Sequence, residues 1–356
     1  MSLPANPQTI RSLATQLKIS AMTVSRALRN AVGVSAATRQ RVLAAAEKHG
    51  YRPDPSLAVL NAYRRSKRHL LPTETIAYLS NFPKDDEWRR VSTFNRYFSG
   101  VQARAAELGY KLEDFWLSGP ELTDRRASQI LSSRGIRGLI IGPLHRETPS
   151  LDLDWSQFAT VALGRSLVSP AITAVSTHHA QAVDLAWQEA RARGYRRIGL
   201  VLTEDEEKRT AGMLHAAHLI QQSRHAACAS STLITPDFSG PALVGWARSF
   251  QPDLVMANHP RHHELLAEGL GPDIRGVKFL NLDANPLSEI SGVDQGHELV
   301  GAAAVTLLHH KLAHREVGIA QRRELTLIDG IWQEGRGEEQ LTQRHGAPAS
   351  KPDPRT

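Results

Sequence analysis

Residues 9–60 read TIRSLATQLKISAMTVSRALRNAVGVSAATRQRVLAAAEKHGYRPDPSLAVL. Apolar residues in the first part of this stretch recur at the i, i+3, i+4, i+7 spacing of one buried helical face: Ile10, Leu13, Ala14 and Leu17. Thr9 is placed to cap this helix, and Ser20 is placed to cap a second helix after a three-residue break. Two short helices joined by so brief a turn predict a helix-turn-helix, whose second helix can enter the major groove of DNA.

A third helix is predicted from the cap Ser35 to the stop Gly50. Its apolar side chains are expected to pack against the first two helices: Val42, Leu43 and Ala46. The second helix is expected to bury Val24, Ala27 and Leu28 and to leave its other face open to a partner. The alternative for this three-helix unit is a small bundle that contacts protein instead of DNA.

The charge of the chain is concentrated at its N-terminal end. Residues 1–69 hold twelve Lys and Arg against two acidic residues, a surplus of +10, whereas the whole chain carries only +7. Lys and Arg that neutralise phosphates supply most of the non-specific affinity of a protein for DNA. A solvated charge run would also be basic, but it would not explain why the surplus is confined to the segment with the helix-turn-helix pattern.

Three short motifs in this segment, T-V-S-R at 23–26, V-S-x-x-T-R at 34–39 and G-Y-x-P at 50–53, resemble LacI-type transcriptional repressors. The resemblance implies a role in DNA binding for particular positions. Ala21, Met22 and Arg26 match the positions that contact bases, and a guanidinium there can pair with guanine. The positions expected to hold the phosphate backbone are Ile10, Ser20, Thr23, Ser25, Arg29, Ser35, Thr38 and Tyr51.

The segment that follows the head, residues 53–69, corresponds in the family to a hinge helix and a basic linker. Leu60 occupies the position of the leucine that wedges into the minor groove and unstacks the central base step. This chain has A-V-L where the family usually has A-R-S-L, and it carries an additional proline, Pro55. A plain basic linker is the alternative interpretation.

From Leu70 onward short apolar runs alternate with amphipathic stretches of about a dozen residues. Seven runs are predicted as buried strands: 75–79, 112–117, 138–141, 160–163, 197–202, 253–257 and 277–282. Seven helices are predicted at 94–108, 124–134, 180–193, 207–221, 241–250, 261–268 and 298–314. Alternating strands and helices favour doubly wound parallel sheets, and the length suits two such subdomains with a cleft between them.

The fold class predicted for the whole chain is therefore an all-α helix-turn-helix head plus an α/β, periplasmic-binding-protein-like core of two parallel-sheet subdomains. The description of the core as periplasmic-binding-protein-like is what the resemblance to LacI-type repressors implies. The predicted domains are a DNA-binding domain at 1–52, the hinge and linker at 53–69, an effector-binding and dimerisation core at 70–331, and a disordered tail at 332–356. The tail is polar and has no leucine heptads that would form a coiled coil.

Residues just after the predicted strands are the candidates for binding a small-molecule effector, since ligands of open α/β sheets lie beyond the carboxyl ends of the strands. The candidates are Asn81, Phe82, His178, Arg209, Asn258, Asp283 and Gln295. Arg209 matches the arginine with which the family grips its effector. His178 and His259 stand where the family commonly has aspartates, so the bound hydroxyls could differ. For each residue the alternative is an ordinary polar group at a strand end.

Catalysis and metal binding have little support in the sequence. No nucleophile elbow, phosphate-binding loop or dinucleotide fingerprint is present. The sixteen histidines include two clusters, at 259–263 and 309–314, but neither carries the Glu of H-E-x-x-H or nearby cysteines. A solvated helix face is the expected reading, and no cofactor is predicted. One cysteine, Cys228, excludes an intrachain disulfide.

These observations predict a cytoplasmic DNA-binding regulator, a repressor that acts as a homodimer on a pseudo-palindromic operator and responds to a small molecule such as a sugar or related metabolite. No enzymatic activity is expected, because no catalytic motif is present. No secretory signal and no membrane segment are expected either, because the N-terminus lacks a basic and an apolar region and no run of eighteen apolar residues occurs. Two alternatives remain open. One is a solute-binding receptor without regulatory DNA binding, and the other is a metal-assisted hydrolase that uses the histidine clusters.

Overall fold

The structure is a computed structural model that describes residues 10–28, 34–49, 74–119, 121–145, 147–285 and 288–336. The predicted hinge and linker at 53–69 lie outside the described residues, together with Arg29, Tyr51 and Leu60. None of the described helices is long and apolar enough to cross a membrane.

The N-terminal head consists of three helices: α1 (Ile10–Leu17), α2 (Ala21–Leu28) and α3 (Ala36–Lys48). Its small core is formed by six buried residues, Leu13, Ala14, Val24, Ala27, Val42 and Ala46. Between α1 and α2 the chain turns at Lys18, which adopts a positive φ of 51°. The head therefore has the predicted helix-turn-helix form.

One predicted core residue of the head lies on its surface. Leu43 is 48% exposed, so the expectation that it packs inward with Val42 is wrong. On α3 the buried positions are Val42 and Ala46, four residues apart, whereas Leu43 lies about 100° further round the helix. Apolar identity alone does not fix which helical face a residue occupies.

The core contains two six-stranded sheets. The first, in the N-terminal subdomain, has the order β11-β5-β4-β3-β1-β2 and is entirely parallel. Its strands are β1 (Glu74–Ser80), β2 (Tyr110–Trp116), β3 (Gly138–Ile141), β4 (Ala159–Leu163), β5 (Ala174–Thr177) and β11 (Leu325–Ile328). Its helices are α4 (Ser92–Glu107), α5 (Asp124–Ser133) and α11 (His297–His314).

The second sheet, in the C-terminal subdomain, has the order β12-β10-β9-β8-β6-β7, with only β12 antiparallel to its neighbour. Its strands are β6 (Arg197–Thr203), β7 (Ala229–Thr235), β8 (Leu254–Ala257), β9 (Lys278–Asn281), β10 (Gly292–Asp294) and β12 (Ile331–Gln333). Its helices are α6 (His179–Ala192), α7 (Glu204–Arg209), α8 (Met213–Arg224), α9 (Gly240–Phe250) and α10 (Arg261–Leu270).

The chain passes between the two subdomains three times. The crossings lie between β5 and α6, between β10 and α11, and between β11 and β12. The side chain of Gln181 joins the first and third crossings, because its amide exchanges two hydrogen bonds with the backbone of Gly330 (2.9 and 3.1 Å). Three adjacent crossings form a hinge about which the subdomains can rotate.

Close packing of α4 against α11 fixes the side of the cleft nearest this hinge. A Cβ atom on Gly100 would lie 1.9 Å from the carbonyl oxygen of Glu298, and one on Gly301 would lie 2.1 Å from that of Tyr97. Only glycine permits the two backbones to approach so closely. The contact places the middle of α4 beside the first turn of α11.

The predicted fold class is confirmed, and all seven predicted strands lie within two residues of observed strands. Five further strands were not predicted: β5, β7, β10, β11 and β12. The helix predicted at 207–221 is two helices, because the chain turns through positive φ at Ala211 and Gly212. The core also continues beyond the predicted boundary at 331, since Trp332 and Gln333 belong to β12; residues 337–356 lie outside the described residues.

Candidate DNA-reading face and effector cleft

The exposed face of α2 carries two of the three residues predicted to contact bases. Met22 is 64% exposed, and Arg26 is also exposed, one helical turn further on. Ala21 is half-buried and packs against the core of the head. The structure therefore presents a thioether and a guanidinium together on one helical face, the chemistry needed to contact a thymine methyl and a guanine edge.

Four of the residues predicted to contact phosphates form two equivalent caps. The Ser20 hydroxyl accepts a hydrogen bond from the backbone N–H of Thr23 (3.0 Å), and the Ser35 hydroxyl accepts one from that of Thr38 (3.2 Å). Each serine also bonds the hydroxyl of its threonine at 2.8 Å. Hydroxyls and free N–H groups at a helix N-terminus can hold a phosphate. Ile10 is half-buried in the head core, and the side chain of Ser25 lies outside the described residues.

The carboxyl ends of both sheets face the space between the subdomains, where the effector was predicted to bind. On the N-terminal side, Asn81 is buried and its amide is fully used. It donates to the backbone oxygen and the hydroxyl of Thr148 (2.7 and 2.9 Å) and accepts from the backbone N–H of His145 (2.7 Å). In this conformation Asn81 holds the loop that follows β3.

The same N-terminal side presents an aromatic surface. Phe82 is buried and packs against Phe94 and His145, with ring centroids 5.9 and 5.6 Å apart. The guanidinium of Arg209, which comes from the opposite subdomain, lies 5.5 Å from the Phe94 ring. An aromatic surface of this kind can pack against the ring face of a ligand.

Arg209 already has partners on both sides of the cleft. Its Nε donates to the Asp205 carboxylate at 2.7 Å, and its Nη1 donates to the backbone oxygen of Leu144 at 3.0 Å. Asp205 belongs to the C-terminal subdomain and Leu144 to the N-terminal one. The predicted effector arginine therefore bridges the two subdomains in this structure.

Asp283 forms a second bridge. Its carboxylate accepts a hydrogen bond from the Thr93 hydroxyl of α4 at 2.6 Å and contacts the Nε2 of His297, the first residue of α11. Burial acts to raise the pKa of Asp283, but His297, Thr93 and Arg96 outweigh it and hold the pKa below its usual value. The carboxylate is therefore ionised at neutral pH, with both partners on the N-terminal side.

Hydrogen-bond acceptors form a row along the C-terminal wall. Gln295, Asp283 and Asn258 follow β10, β9 and β8, which are neighbours in the sheet. Asn258 Oδ1 is buried without a hydrogen-bond partner among the described residues. Gln295 is buried and donates through Nε2 to the backbone oxygen of Leu282. The predicted residues Asn258, Asp283 and Gln295 are thus brought together.

Glu206, which the sequence did not single out, extends this row at the end of β6. Its Oε2 accepts bonds from the Thr203 backbone (2.7 Å), the Thr203 hydroxyl (3.0 Å) and His262 (3.1 Å), whereas its Oε1 is buried without a partner among the described residues. The T-E-D-E capping-box pattern at 203–206 could have indicated the position. It could not have indicated that the carboxylate is buried.

The histidines of the first crossing occupy different environments. His178, the predicted effector residue, contacts Asp329 at 2.7 Å and so joins the first and third crossings instead of the acceptor row. The next residue, His179, is beside Asp283 and Gln295, and burial lowers its pKa to about 4. The neutral imidazole of His179 therefore lies beside the acceptor row, at the place predicted for His178.

His259, the other departure from the family pattern, lies at the end of β8. Its Nδ1 accepts a hydrogen bond from the Arg261 backbone at 3.1 Å, and its ring is 5.1 Å from that of Phe238. Partial burial lowers the pKa of His259. It therefore adds an imidazole to the acceptor row without adding a full positive charge at neutral pH.

Known proteins resemble this chain in the sequence of the head and in the fold of the core. Residues 9–54 match the family described as bacterial regulatory proteins, lacI family. An HTH-type transcriptional regulator of Mycobacterium tuberculosis is 29% identical over 152 residues, 42% of this chain and 39% of that protein. One of Mycolicibacterium smegmatis is 26% identical over 200 residues, 56% of this chain and 52% of that protein. The chain thus spans about half or less of the length of the curated relatives it matches.

Solved structures share the fold over most of the chain. The transcriptional regulator CelR in complex with cellobiose has a TM-score of 0.54 at 18% identity, with 92% of this chain and 100% of that chain covered. A lac repressor dimer bound to operator and the anti-inducer ONPF has a TM-score of 0.52 at 16% identity, with coverage of 92% and 98%. The head therefore matches the lacI family over residues 9–54, and the chain shares its fold with these solved regulators.

Proposed function

We propose that this protein is a sequence-specific DNA-binding regulator, acting as a repressor, whose affinity for its operator is modulated by a small molecule bound in the cleft. The observation that carries the proposal is the combination of two sites in one chain. The head exposes Met22 and Arg26 on the second helix of a helix-turn-helix, and the core offers a cleft lined with buried acceptors. A solute receptor would need the second feature but not the first.

The proposed operator is pseudo-palindromic, because a two-fold dimer presents two identical heads to two half-sites. Met22 and Arg26 would read bases, with Ala21 close enough to touch a thymine methyl. The two hydroxyl caps, Arg29 and Tyr51 would hold phosphates. Leu60 would enter the minor groove at the centre of the operator. Homodimerisation and an intracellular, cytoplasmic location are parts of this proposal, as is the absence of a catalytic role.

The effector that suits the cleft is a ligand rich in hydroxyl groups. The C-terminal wall supplies acceptors at Glu206, Asn258 and Asp283, and the N-terminal wall supplies the ring of Phe82. Hydroxyl groups can donate to such a row while a sugar ring lies against an aromatic face. One of the structures with this fold is a cellobiose complex, which is consistent with a carbohydrate as effector here.

The cross-cleft bonds suggest how a ligand changes the head. Thr93 to Asp283 and Arg209 to Leu144 hold the subdomains together in the structure described. A ligand that takes over Asp283 or Arg209 replaces these bonds with its own and changes the preferred angle between the subdomains. The coupling is reciprocal, so operator binding must weaken ligand binding by the same factor as ligand weakens operator binding.

Selection from pooled random duplexes tests the DNA-binding part. We expect the full chain to enrich an inverted repeat, with an affinity that falls steeply between 50 and 200 mM salt, as phosphate neutralisation requires. Leu60→Ala is expected to weaken binding to the selected operator while leaving its half-site sequence unchanged. Enrichment of no common sequence by the wild-type dimer would contradict the proposal.

Thermal unfolding with a panel of neutral sugars tests the effector part separately. A sugar that raises Tm should also release operator, and Asn258→Ala should reduce the Tm shift without altering operator affinity in the absence of sugar. A ligand that stabilises the core but leaves operator affinity unchanged would refute the coupling while leaving the DNA-binding function intact.

A further inference from the structure

The C-terminal end of α11 carries a second feature, which lies on the opposite side of the N-terminal subdomain from the cleft. The helix begins at the hinge with His297 and ends at His314, close to the edge at which β1 and β3 begin. The position of that edge follows from Gly138, the first residue of β3, whose Cβ would lie 2.9 Å from Leu312 and 3.2 Å from Leu308. The chain also enters the core at this edge, with Glu74.

Three side chains converge there: His310, His314 and Glu316. Their ligand atoms all lie within 4.8 Å of one another, and all three residues are exposed. Among the described residues of the chain, no other group of three His, Cys, Asp or Glu side chains meets this separation. From this geometry we propose that His310, His314 and Glu316 bind a divalent transition-metal ion of the zinc type.

The two histidines are arranged by the helix itself. They are four residues apart and therefore lie on one face, with ring centroids 4.1 Å apart. The Nδ1 of His314 is 2.9 Å from the backbone oxygen of His310, a bond that only a protonated Nδ1 can donate. This bond leaves the lone pair of His314 on Nε2, so the imidazole is oriented by its second nitrogen, as metal-binding histidines commonly are.

The carboxylate is brought back over the last turn by the backbone. Arg315 adopts the left-handed conformation (φ 58°), and the N–H of Glu316 donates to the backbone oxygen of Lys311 at 2.9 Å. Glu316 Oε1 lies 3.9 Å from His310 Nε2. Tetrahedral zinc lies about 2.0–2.2 Å from each ligand atom and needs a separation of about 3.4 Å, so a small rotation of the exposed Glu316 side chain would place both atoms on one ion.

Two nitrogens and one carboxylate oxygen leave a fourth tetrahedral position open to water or to a further ligand. The Lys311 ammonium competes for the carboxylate, because its Nζ lies 3.5 Å from Glu316 Oε2. The ligand set suits Zn²⁺, Co²⁺ or Ni²⁺ better than Mg²⁺ or Ca²⁺, which prefer oxygen donors. The site is separate from the effector cleft and involves none of its residues.

The third histidine of the same sequence cluster provides a matched control. His309 is adjacent to His310 but turns the other way, and its Nδ1 lies 2.8 Å from the hydroxyl of Tyr110. The cluster at 259–263 does not converge, because His262 pairs with Glu206 and the His263 ring lies 4.4 Å from that of Phe279. The sequence shows two equivalent clusters, whereas the structure brings the donors together in only one of them.

Calorimetric titration of the full chain, carrying no affinity tag, with ZnCl₂ tests the proposal, and Co²⁺ provides a second readout through the visible absorption of a tetrahedral site. We expect one equivalent of each metal to bind per chain. His310→Ala and His314→Ala should each weaken binding by roughly tenfold or more, because each removes one of three ligands. Lys311→Met should strengthen binding by freeing the carboxylate, and His309→Ala should leave the affinity unchanged.

Three results would overturn the proposal. They are the absence of stoichiometric binding to wild type, equal losses in His309→Ala and His310→Ala, and undiminished binding in the double variant of His310 and His314. Far-ultraviolet circular dichroism of each variant shows whether it is folded, and Glu316→Gln, on the surface after the helix, provides a further test that does not disturb the helix.

Discussion

The head and the cleft use polar side chains in opposite ways. The reading face of the head is open, with Met22 64% exposed and Arg26 exposed beside it. The cleft buries its polar groups and ties them across two subdomains, as Asp283 does with Thr93 and His297. An open face can meet a long external surface without first breaking internal bonds. A ligand that enters the buried network must replace bonds between the subdomains, so ligand binding is expected to be coupled to their movement.

This contrast makes a general expectation. Substitutions on the reading face should change DNA binding with little effect on stability, whereas substitutions in the cleft should change ligand response and stability together.

Asp283→Ala is expected to lower the free energy of unfolding of the core by about 2–5 kcal/mol, because the Thr93 hydroxyl and the His297 ring each lose a buried hydrogen-bond partner, at about 1–3 kcal/mol each. Urea denaturation measures the loss. Glu298→Gln is the matched control. Glu298 also joins α11 to α4, through an ion pair with Arg96, but its side chain is 47% exposed. A similar loss in both variants would show that burial of Asp283 contributes nothing specific.

Arg26→Ala is expected to reduce discrimination between the selected operator and a scrambled duplex by about 1–3 kcal/mol, which is the worth of one bidentate base contact. Because Arg26 is exposed, the free energy of unfolding should change by no more than about 0.5 kcal/mol. Arg41→Ala removes an exposed charge of α3 and should weaken binding to both duplexes equally. Preserved discrimination in Arg26→Ala would break the assignment of a base-reading role.

Stability should also fall in mildly acidic solution because of buried neutral histidines. His218 accepts a bond from Trp187 (3.1 Å) and contacts the Ser230 hydroxyl (2.7 Å), and burial lowers its pKa from 6.5 to about 4. As the pH falls, His218 is therefore protonated in the unfolded chain before it is protonated in the folded chain. The stabilising contribution of the neutral ring is present above pH 6.5 and is lost between pH 6.5 and about 4.

Between pH 7 and 5 this loss amounts to about 2 kcal/mol for one such histidine. His218→Gln should be less stable than wild type at pH 7 but should lose correspondingly less on acidification, as measured by urea denaturation at both pH values. His314→Gln, on the exposed end of α11, is the control and should retain the pH dependence of wild type. An unchanged slope in His218→Gln would contradict the prediction.

Met22→Ala is expected to have the smallest effect, a loss of about 1 kcal/mol or less in operator affinity, because it removes an apolar contact from an exposed position. Replacing the contacted thymine by uracil removes the methyl group on the DNA side of the same contact. Wild type should lose affinity on that replacement and Met22→Ala should not. Additive losses from the two changes would show that the thioether and the methyl group do not touch.

Local patterns in the sequence were sufficient to predict the helices of the head and the interior strands of the core. The helix-turn-helix follows from apolar spacing within eight residues and from two hydroxyl caps, features that depend only on near neighbours in the chain. Strands such as β3, whose four residues are all buried, follow from continuous apolar composition. The arrangement of two parallel sheets then follows from alternation with helices.

Edge strands and crossings depended on distant parts of the chain. β7 reads ASSTLIT and is mostly half-buried, so its composition resembles that of a loop, and it is a strand because β6 pairs with it. β11 is a strand because it pairs in register with β5, whose residues lie about 150 positions earlier. Such pairing depends on hydrogen bonds between segments far apart in sequence, which no local window contains.

The composition of the cleft was predicted in part. The sequence placed Arg209, Asn258, Asp283 and Gln295 after strands, and these positions follow from the topology alone. Only the tertiary structure showed that Arg209 and Asp283 bridge the subdomains, that Glu206 is buried, and that His179 instead of His178 lies beside the acceptors. The sequence thus determined the helices of the head, the interior strands and which ends of those strands meet. The fold decided which side chains are buried and paired, because burial and pairing depend on neighbours that packing supplies.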